Sequence, residues 1–192
     1  MAIEIELKFA AEESAFEGLL AESGEWIRYE MATTYYDTPD AKLGKLRWTL
    51  RRRFENGVSV CTIKTPHAGG GNHEFEVACD DILEAIPMLI EMGAPAEVGL
   101  YTAGGIEEVC AARFTRMAGK ILLPDAEAEL ALDKGELLGG GKTLPFVEVE
   151  VELKSGDLSA VNVYAQALAE RFNLRPESRS KFKRALMLVG KS

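Results

Sequence analysis

The chain has 192 residues, 47% of them hydrophobic, and a formal net charge of −9. That length and apolar content suffice for one domain with a real core, expected over residues 1–192. The acidic balance excludes broad binding to nucleic acid or to an anionic membrane, which needs a basic surface to neutralise phosphates, so any polyanion must meet a local basic cluster.

The opening Glu4-Ile5-Glu6-Leu7-Lys8 predicts a strand over residues 3–9. Successive side chains of a strand point to opposite faces, which puts Glu4, Glu6 and Lys8 on one side and Ile3, Ile5, Leu7 and Phe9 on the other. A charged strand at this place is no signal sequence, and no apolar run reaches membrane-spanning length, so a cytoplasmic protein is expected. Phe16, Leu19 and Leu20 recur at helical spacing within a helix expected over residues 12–23. Strands follow at 33–37, 48–54 and 58–65, the last two joined by the turn signal Glu55-Asn56-Gly57. Cys61 alternates with Ile63 on an apolar face, and it, Cys79 and Cys110 show no paired spacing of the zinc or redox kind. Free thiols are therefore expected, with Cys61 buried.

Gly69-Gly70-Gly71-Asn72 forms a loop before a strand at 73–78, which carries Glu74 and Glu76. Asp80 or Asp81 caps a helix running to Met92, with Ile82, Leu83, Ile86, Leu89 and Ile90 on its apolar side and a kink expected at Pro87. Further strands are predicted at 109–115, 119–123, 126–133 and 146–154, and a last helix at 158–172. The strand at 126–133 carries Glu127 and Glu129, and the one at 146–154 carries Glu148, Glu150 and Glu152.

A solvent face usually mixes neutral polar residues with charges. Here carboxylates recur at every second position in some strands, and guanidinium or ammonium groups recur in others, as in Leu50-Arg51-Arg52-Arg53. Segregated faces of both signs suit a site that binds a metal cation and a polyanion together. The fold class expected is α+β: an eight-stranded antiparallel closed barrel with a charged interior and helices packed outside. Such an interior is costly unless opposite charges, ions and water compensate it, so it points to function rather than to packing.

Glu4-Ile5-Glu6-Leu7-Lys8 resembles the ExExK signature of the CYTH family, the triphosphate tunnel metalloenzymes. Further segments match in the family's order: Tyr35-Tyr36-Asp37-Thr38-Pro39-Asp40, Leu50-Arg51-Arg52-Arg53, Thr62-Ile63-Lys64-Thr65 and Glu74-Phe75-Glu76. They continue with the segments running from Glu129 to Gly135 and from Glu148 to Lys154, then Arg179-Ser180-Lys181 and Arg184. The set looks most like the bacterial inorganic triphosphatases. It departs from relatives at Asn72 and His73, where a basic residue often precedes the Glu-aromatic-Glu strand; His73 and His67 are given no role.

The resemblance implies a tunnel that hydrolyses inorganic tripolyphosphate, a small-molecule substrate, to pyrophosphate and phosphate with Mg²⁺ or Mn²⁺. Alternatives in the same fold are a thiamine or nucleoside triphosphatase and a class IV adenylate cyclase; outside enzymes, the alternative is a polyphosphate-binding module. Hard divalent ions prefer carboxylate oxygens, which Glu4, Glu6, Glu148 and Glu150 supply. Lys8, Arg51, Arg53, Lys64, Arg113 and Lys181 are the expected phosphate ligands, and Glu4, Glu6, Lys8 and Lys64 form the catalytic set. Glu74, Glu76, Glu129, Asp133, Glu152, Arg116, Arg179 and Arg184 are second candidates that orient water, offset a neighbouring charge or stand at the rim.

Overall fold

A computed structural model describes residues 2–22 and 24–190, the side chains of Ala2 and Ile3 excepted. Ile3, expected on the outward face, and Ser23, expected at the end of the first helix, therefore lie outside the described residues. The elements run β1 (Ala2–Glu4), β2 (Glu6–Ala10), α1 (Glu13–Ala21), β3 (Ile27–Asp37), α2 (Lys42–Lys45), β4 (Thr49–Glu55), β5 (Val58–Pro66) and β6 (Asn72–Ala78). They continue with α3 (Ile82–Glu91), α4 (Glu97–Thr102), β7 (Glu107–Leu123), β8 (Ala126–Gly139), β9 (Lys142–Gly156), α5 (Leu158–Phe172), β10 (Arg175–Pro176) and α6 (Lys181–Leu188).

The closed eight-stranded barrel expected from sequence is corrected here. The strands form one ten-stranded antiparallel sheet in the order β1-β6-β5-β4-β3-β7-β8-β9-β2-β10, which does not close. The cause lies at Ile5. The N-terminal segment splits there, its first half pairing with β6 through Glu4 and Asn72, its second with β9 through Lys8 and Glu150. Ile5 itself only accepts a hydrogen bond from the Leu153 amide. β1, one border strand, is thus joined by chain continuity to β2, whose far side carries only the two-residue β10, and among the described residues no strand carries ladders to β6 and β9 over the same residues.

Two helical layers cover the outer face. α1 and α5 place Phe16, Leu19, Val161 and Leu168 against Phe9, Leu130, Leu132, Val149 and Val151 of β2, β8 and β9. α2, α3 and α4 place Leu43, Ile86, Leu89 and Val98 against Leu50, Ile63 and Phe75 of β4, β5 and β6. These are the odd and even partners of the charged residues, as strand alternation requires. Cys61 is buried in the second layer, and all three cysteines are free thiols. α3 starts on Asp81, whose carboxylate accepts from the Leu83 and Glu84 amides, and it runs through Pro87 without ending.

α6 is different. Its Ala185 packs with Met31, Tyr35, Phe114, Leu137 and Phe146, which share the inner, concave side of their strands with Arg116, Asp133 and Glu148. The helix therefore sits inside the curve of the sheet and fills one end of it with apolar side chains, leaving the charged remainder as a cavity.

Candidate active site

That cavity measures about 990 Å³ and draws its lining from both borders and the middle of the sheet, including Glu4, Glu6, Lys8, Arg51, Lys64 and Glu150. Register places the charges opposite one another: Glu6 against Glu152 and Lys8 against Glu150 across β2 and β9, Lys64 against Glu74 across β5 and β6, Arg116 against Asp133 across β7 and β8.

Two groups of ion pairs result. In the first, Lys64 Nζ lies 2.5 Å from Glu4 and 3.1 Å from Glu74, while Arg51 lies 3.1 Å from Glu74 and 3.6 Å from Glu76. Thr62 donates to Glu76 at 2.9 Å. Burial opposes the Arg51 charge, but Glu74, Glu76 and Glu4 outweigh it and raise the guanidinium's pKa. Arg51 Nε remains buried without a hydrogen-bond partner.

The second group lies against α6. Lys181 Nζ lies 2.7 Å from Asp133 and 2.8 Å from Glu150 and also contacts Glu148, which pairs with Arg184 on its other oxygen. Arg116 forks onto Asp133 with two bonds of 2.8 Å and reaches Glu150 at 2.5 Å. Burial pushes the Glu148 carboxyl up to about 7, with repulsion from Glu150 added, against the pull of Lys181 and Arg184. Burial opposes the Glu150 charge as well, but Lys181, Arg116 and Lys8 together hold its carboxyl well below the usual range. Lys181 is raised, because Asp133, Glu150 and Glu148 outweigh its burial.

Arg53 stands apart from both groups. Its Nε donates to Thr33 Oγ1 at 3.1 Å, and its nearest carboxylate is Glu55 at 3.5 Å. Burial, then repulsion from Arg51 and Arg116, pulls it below the ordinary arginine value. An arginine at 8% exposure remains charged all the same, so Arg53 carries a desolvated positive charge that a bound anion would satisfy.

The expected site residues separate on these grounds. Glu4, Glu6, Lys8, Arg51, Arg53, Lys64, Glu150 and Lys181 line the cavity, as do Glu152, Arg116 and Arg179 from the second set. Glu148 and Asp133 are fully buried behind the lining and anchor α6 through Lys181 and Arg184. Glu74 and Glu76 hold the Arg51 and Lys64 side chains in place, and Glu129 faces Glu152 with Lys154 between them, 2.8 Å from Glu152 and 3.9 Å from Glu129. Arg113 is corrected: it is exposed, one step from the inward-facing Ala112 and Phe114, on the opposite face of β7 from Arg116.

Two carboxylate sets meet the chemistry of a divalent ion. Oxygens of Asp133, Glu148 and Glu150 lie within 4.8 Å of one another, but Lys181, Arg184 and Arg116 already occupy them. Glu4, Glu6 and Glu152 face the cavity, each neutralised by a flexible lysine, Lys64, Lys8 and Lys154 in turn. An ion that takes one or two carboxylates and keeps several waters fits the second set, with Glu150 at its inner border.

Sequence reading missed Tyr35. It lines the cavity at 3% exposure, opposite Arg51 in the ladder and 5.1 Å from the Phe182 ring. Alternation through Thr33, Tyr35 and Asp37 was the available signal. Asp37 itself is an organiser: its buried carboxylate accepts from the Thr38, Leu43 and Gly44 amides and shapes the turn into α2.

A family model described as the CYTH domain matches residues 2–186. An inorganic triphosphatase of Haemophilus influenzae is 28% identical over 169 residues, covering 84% of this chain; the chain spans 46% of that relative's length. Among solved structures, HpAC1 of Hippeastrum, a candidate adenylyl cyclase with a dominant triphosphatase activity, aligns with a TM-score of 0.70 at 20% identity, over 100% of this chain and 97% of that one. A candidate adenylate cyclase of Bacillus halodurans aligns with a TM-score of 0.67 at 20% identity, over 95% and 96%. At such identities the structural likenesses establish the shared fold alone.

Proposed function

The chain belongs to the CYTH domain family, and from that membership and the charges of the cavity we propose that it hydrolyses inorganic tripolyphosphate to pyrophosphate and phosphate. The observation that carries this reading is Arg53, a buried cation set beside Arg51 and Arg116 whose one carboxylate partner among the described residues, Glu55, stands at a long 3.5 Å. Packing alone gives no reason for three guanidinium groups to be gathered there, whereas a linear polyanion carrying four or five charges does.

Lys64 and Arg51 bind the oxygens of the non-reacting phosphates, and Arg53 takes the charge that spreads over the transferring group. Each already holds a fixed geometry through Glu74, Glu76 and Thr33, so little reorganisation is needed when substrate enters. Glu4, Glu6 and Glu150, with Glu152 beside them, would hold a divalent ion, Mg²⁺ or Mn²⁺, whose charge polarises phosphoryl oxygens and water. Lys8 and Lys64 release those carboxylates by turning toward phosphate. Water then attacks a terminal phosphorus in line with the bridging oxygen, which departs with pyrophosphate. The free cysteines fit a reducing compartment, and we place the protein in the cytoplasm as one domain over residues 1–192.

The test is phosphate release from tripolyphosphate under a Mg²⁺ and Mn²⁺ titration, for the native chain and for Glu6→Gln. The native chain is expected to turn over and Glu6→Gln to lose at least about tenfold at low metal, with partial recovery at high metal. Full activity of Glu6→Gln across the titration would remove Glu6 from the metal site, and no release from the native chain would end the proposal.

A further inference from the structure

The only two histidines of the chain, His67 and His73, meet edge to face, their ring centroids 4.7 Å apart and their planes at 89°. The hairpin between β5 and β6 brings them together. Thr65 stands opposite His73 in the ladder, and the ring contact places His67, just past the end of β5, on the same side of the sheet. That side is the outer one. By alternation His73 shares it with Phe75, 6.5 Å away, whereas Asn72 lines the cavity. The histidine pair is thus separated from the phosphate site by the sheet itself.

The turn that carries His67 is fixed by its own backbone: the His67 amide donates to the Gly71 carbonyl and the Gly70 amide donates to the His67 carbonyl, each at 3.1 Å. His67 Nδ1 stands 3.1 Å from the Gly69 amide and 3.1 Å from the Gly70 carbonyl. These two groups serve opposite tautomers, since the amide donates to a bare Nδ1 and the carbonyl accepts from a protonated one. In the second tautomer Nε2 keeps a free lone pair, and an Nδ1–H held by a backbone carbonyl is the usual support of a metal-bound imidazole. Among the described residues His73 has no hydrogen bond on either ring nitrogen, and its Nδ1 is buried. A buried ring nitrogen without a partner costs stability in a purely structural role, and an ion would satisfy it.

We propose that His67 and His73 form a divalent-metal site, separate from the cavity, for a borderline ion of the Zn²⁺ or Ni²⁺ class, with water completing its coordination. A ring nitrogen sits about 2 Å from such an ion, which puts the centroids of two rings sharing it at right angles roughly 5 Å apart. The pair already stands close to that separation. Ligand softness sorts the ions, since imidazole suits borderline metals and the carboxylates of the cavity suit Mg²⁺ or Mn²⁺. His67 takes the tautomer with its proton on Nδ1, and both rings bind as neutral imidazoles. The ion then clips the hairpin shut. Gly71, within the same turn, lies against the Glu4 carbonyl, so the clip also steadies the junction of β6 with β1. The site stands whether or not the cavity hydrolyses tripolyphosphate.

The experiment titrates Zn²⁺ into the full chain, free of added histidines, with saturating Mg²⁺ present to occupy the carboxylates. With two histidines in the chain, their imidazole signals in NMR report the site directly. Both rings are expected to shift together and to saturate at one equivalent of Zn²⁺, and thermal unfolding is expected to move up by several degrees. His67→Ala should weaken Zn²⁺ binding at least about tenfold by calorimetry, leave the His73 signal unmoved at one equivalent and abolish the gain in Tm. His73→Gln should do the same to His67, and if it fails to fold, His67→Ala decides alone. Ring signals that stay in place in the native chain, or equal Zn²⁺ affinity of the native chain and His67→Ala, would overturn the site.

Discussion

Arg53 and Arg113 separate function from surface on chemically identical side chains. Arg53→Ala removes a desolvated cation whose one carboxylate contact among the described residues is the long 3.5 Å pair with Glu55, so folding loses little and thermal unfolding is expected to stay level or rise. Its kcat/KM for tripolyphosphate is expected to fall by about 30-fold or more, corresponding to a lost charge-assisted contact of about 2 kcal/mol. Arg113→Ala, on the exposed outer face, should change neither quantity by more than about twofold in rate or about 0.5 kcal/mol in stability. Steady-state kinetics and thermal unfolding of the two variants check both statements; a kinetic defect in Arg113→Ala would return it to the site. The charged faces of β2, β4, β5, β6 and β9 were legible because a strand of strict alternation needs no tertiary information. Arg113 against Arg116 was not. The two are three residues apart in one continuous strand and so lie on opposite faces, and which of them faces inward is settled by the β3 to β7 ladder, regular from Cys110 to Ala118.

At the scale of the element, α6 is the part that sequence hid. Lys181 was expected at substrate phosphate and Arg184 as a second candidate, with no helix expected around them, yet both are buried in α6 because Asp133, Glu148 and Glu150 pair with them from three different positions of β8 and β9. Such a pairing over more than thirty positions leaves no local pattern. The same helix pairs two residues expected to meet substrate or metal, Lys181, which also lines the cavity, and the fully buried Glu148. Lys181→Met should strand three carboxylates in a dry site and cost about 3 kcal/mol or more, lowering Tm by about 10 °C at pH 8. The sign with pH follows from Glu148, whose folded pKa already stands above its ordinary 4.5 at about 7. A carboxyl raised by folding stabilises the fold below its unfolded pKa and loses that contribution as pH climbs through the folded value. The deficit of Lys181→Met in chelator-treated protein should therefore shrink between pH 8 and pH 5. Thermal melts across that range check it, and a deficit that grows on acidification would show that the carboxylates are compensated by something other than Lys181. β7 shows a smaller misreading of the same kind: one continuous strand, Glu107–Leu123, stands where two were expected, since Arg116 to Gly119 contains no turn-forming pair.

For the whole molecule, the decisive feature is how a sheet that does not close still encloses a site. Its borders meet at the split N-terminal segment, and Gly71 makes that meeting possible. At φ 73°, a Cβ on Gly71 would lie 2.3 Å from the Glu4 carbonyl oxygen. Gly71→Ala is expected to push the β5 to β6 turn away from β1, lowering Tm by several degrees and kcat/KM by about tenfold together, because Glu4 and its partner Lys64 sit at the displaced junction. Retained activity with a lowered Tm would mean that the junction serves stability only. The charged cavity and the antiparallel sheet could be read from alternation, while the closed barrel could not be corrected from sequence, because Ile5 looks like any apolar strand residue and only its two different partners reveal the break. Steady-state kinetics on tripolyphosphate and ATP at saturating Mg²⁺ or Mn²⁺, with product analysis, is the most direct measurement. A larger kcat/KM for tripolyphosphate, with pyrophosphate and phosphate formed in equal amounts and no cyclic AMP, is the expected result. A larger kcat/KM for ATP, or cyclic AMP formed in step with substrate loss, would contradict it.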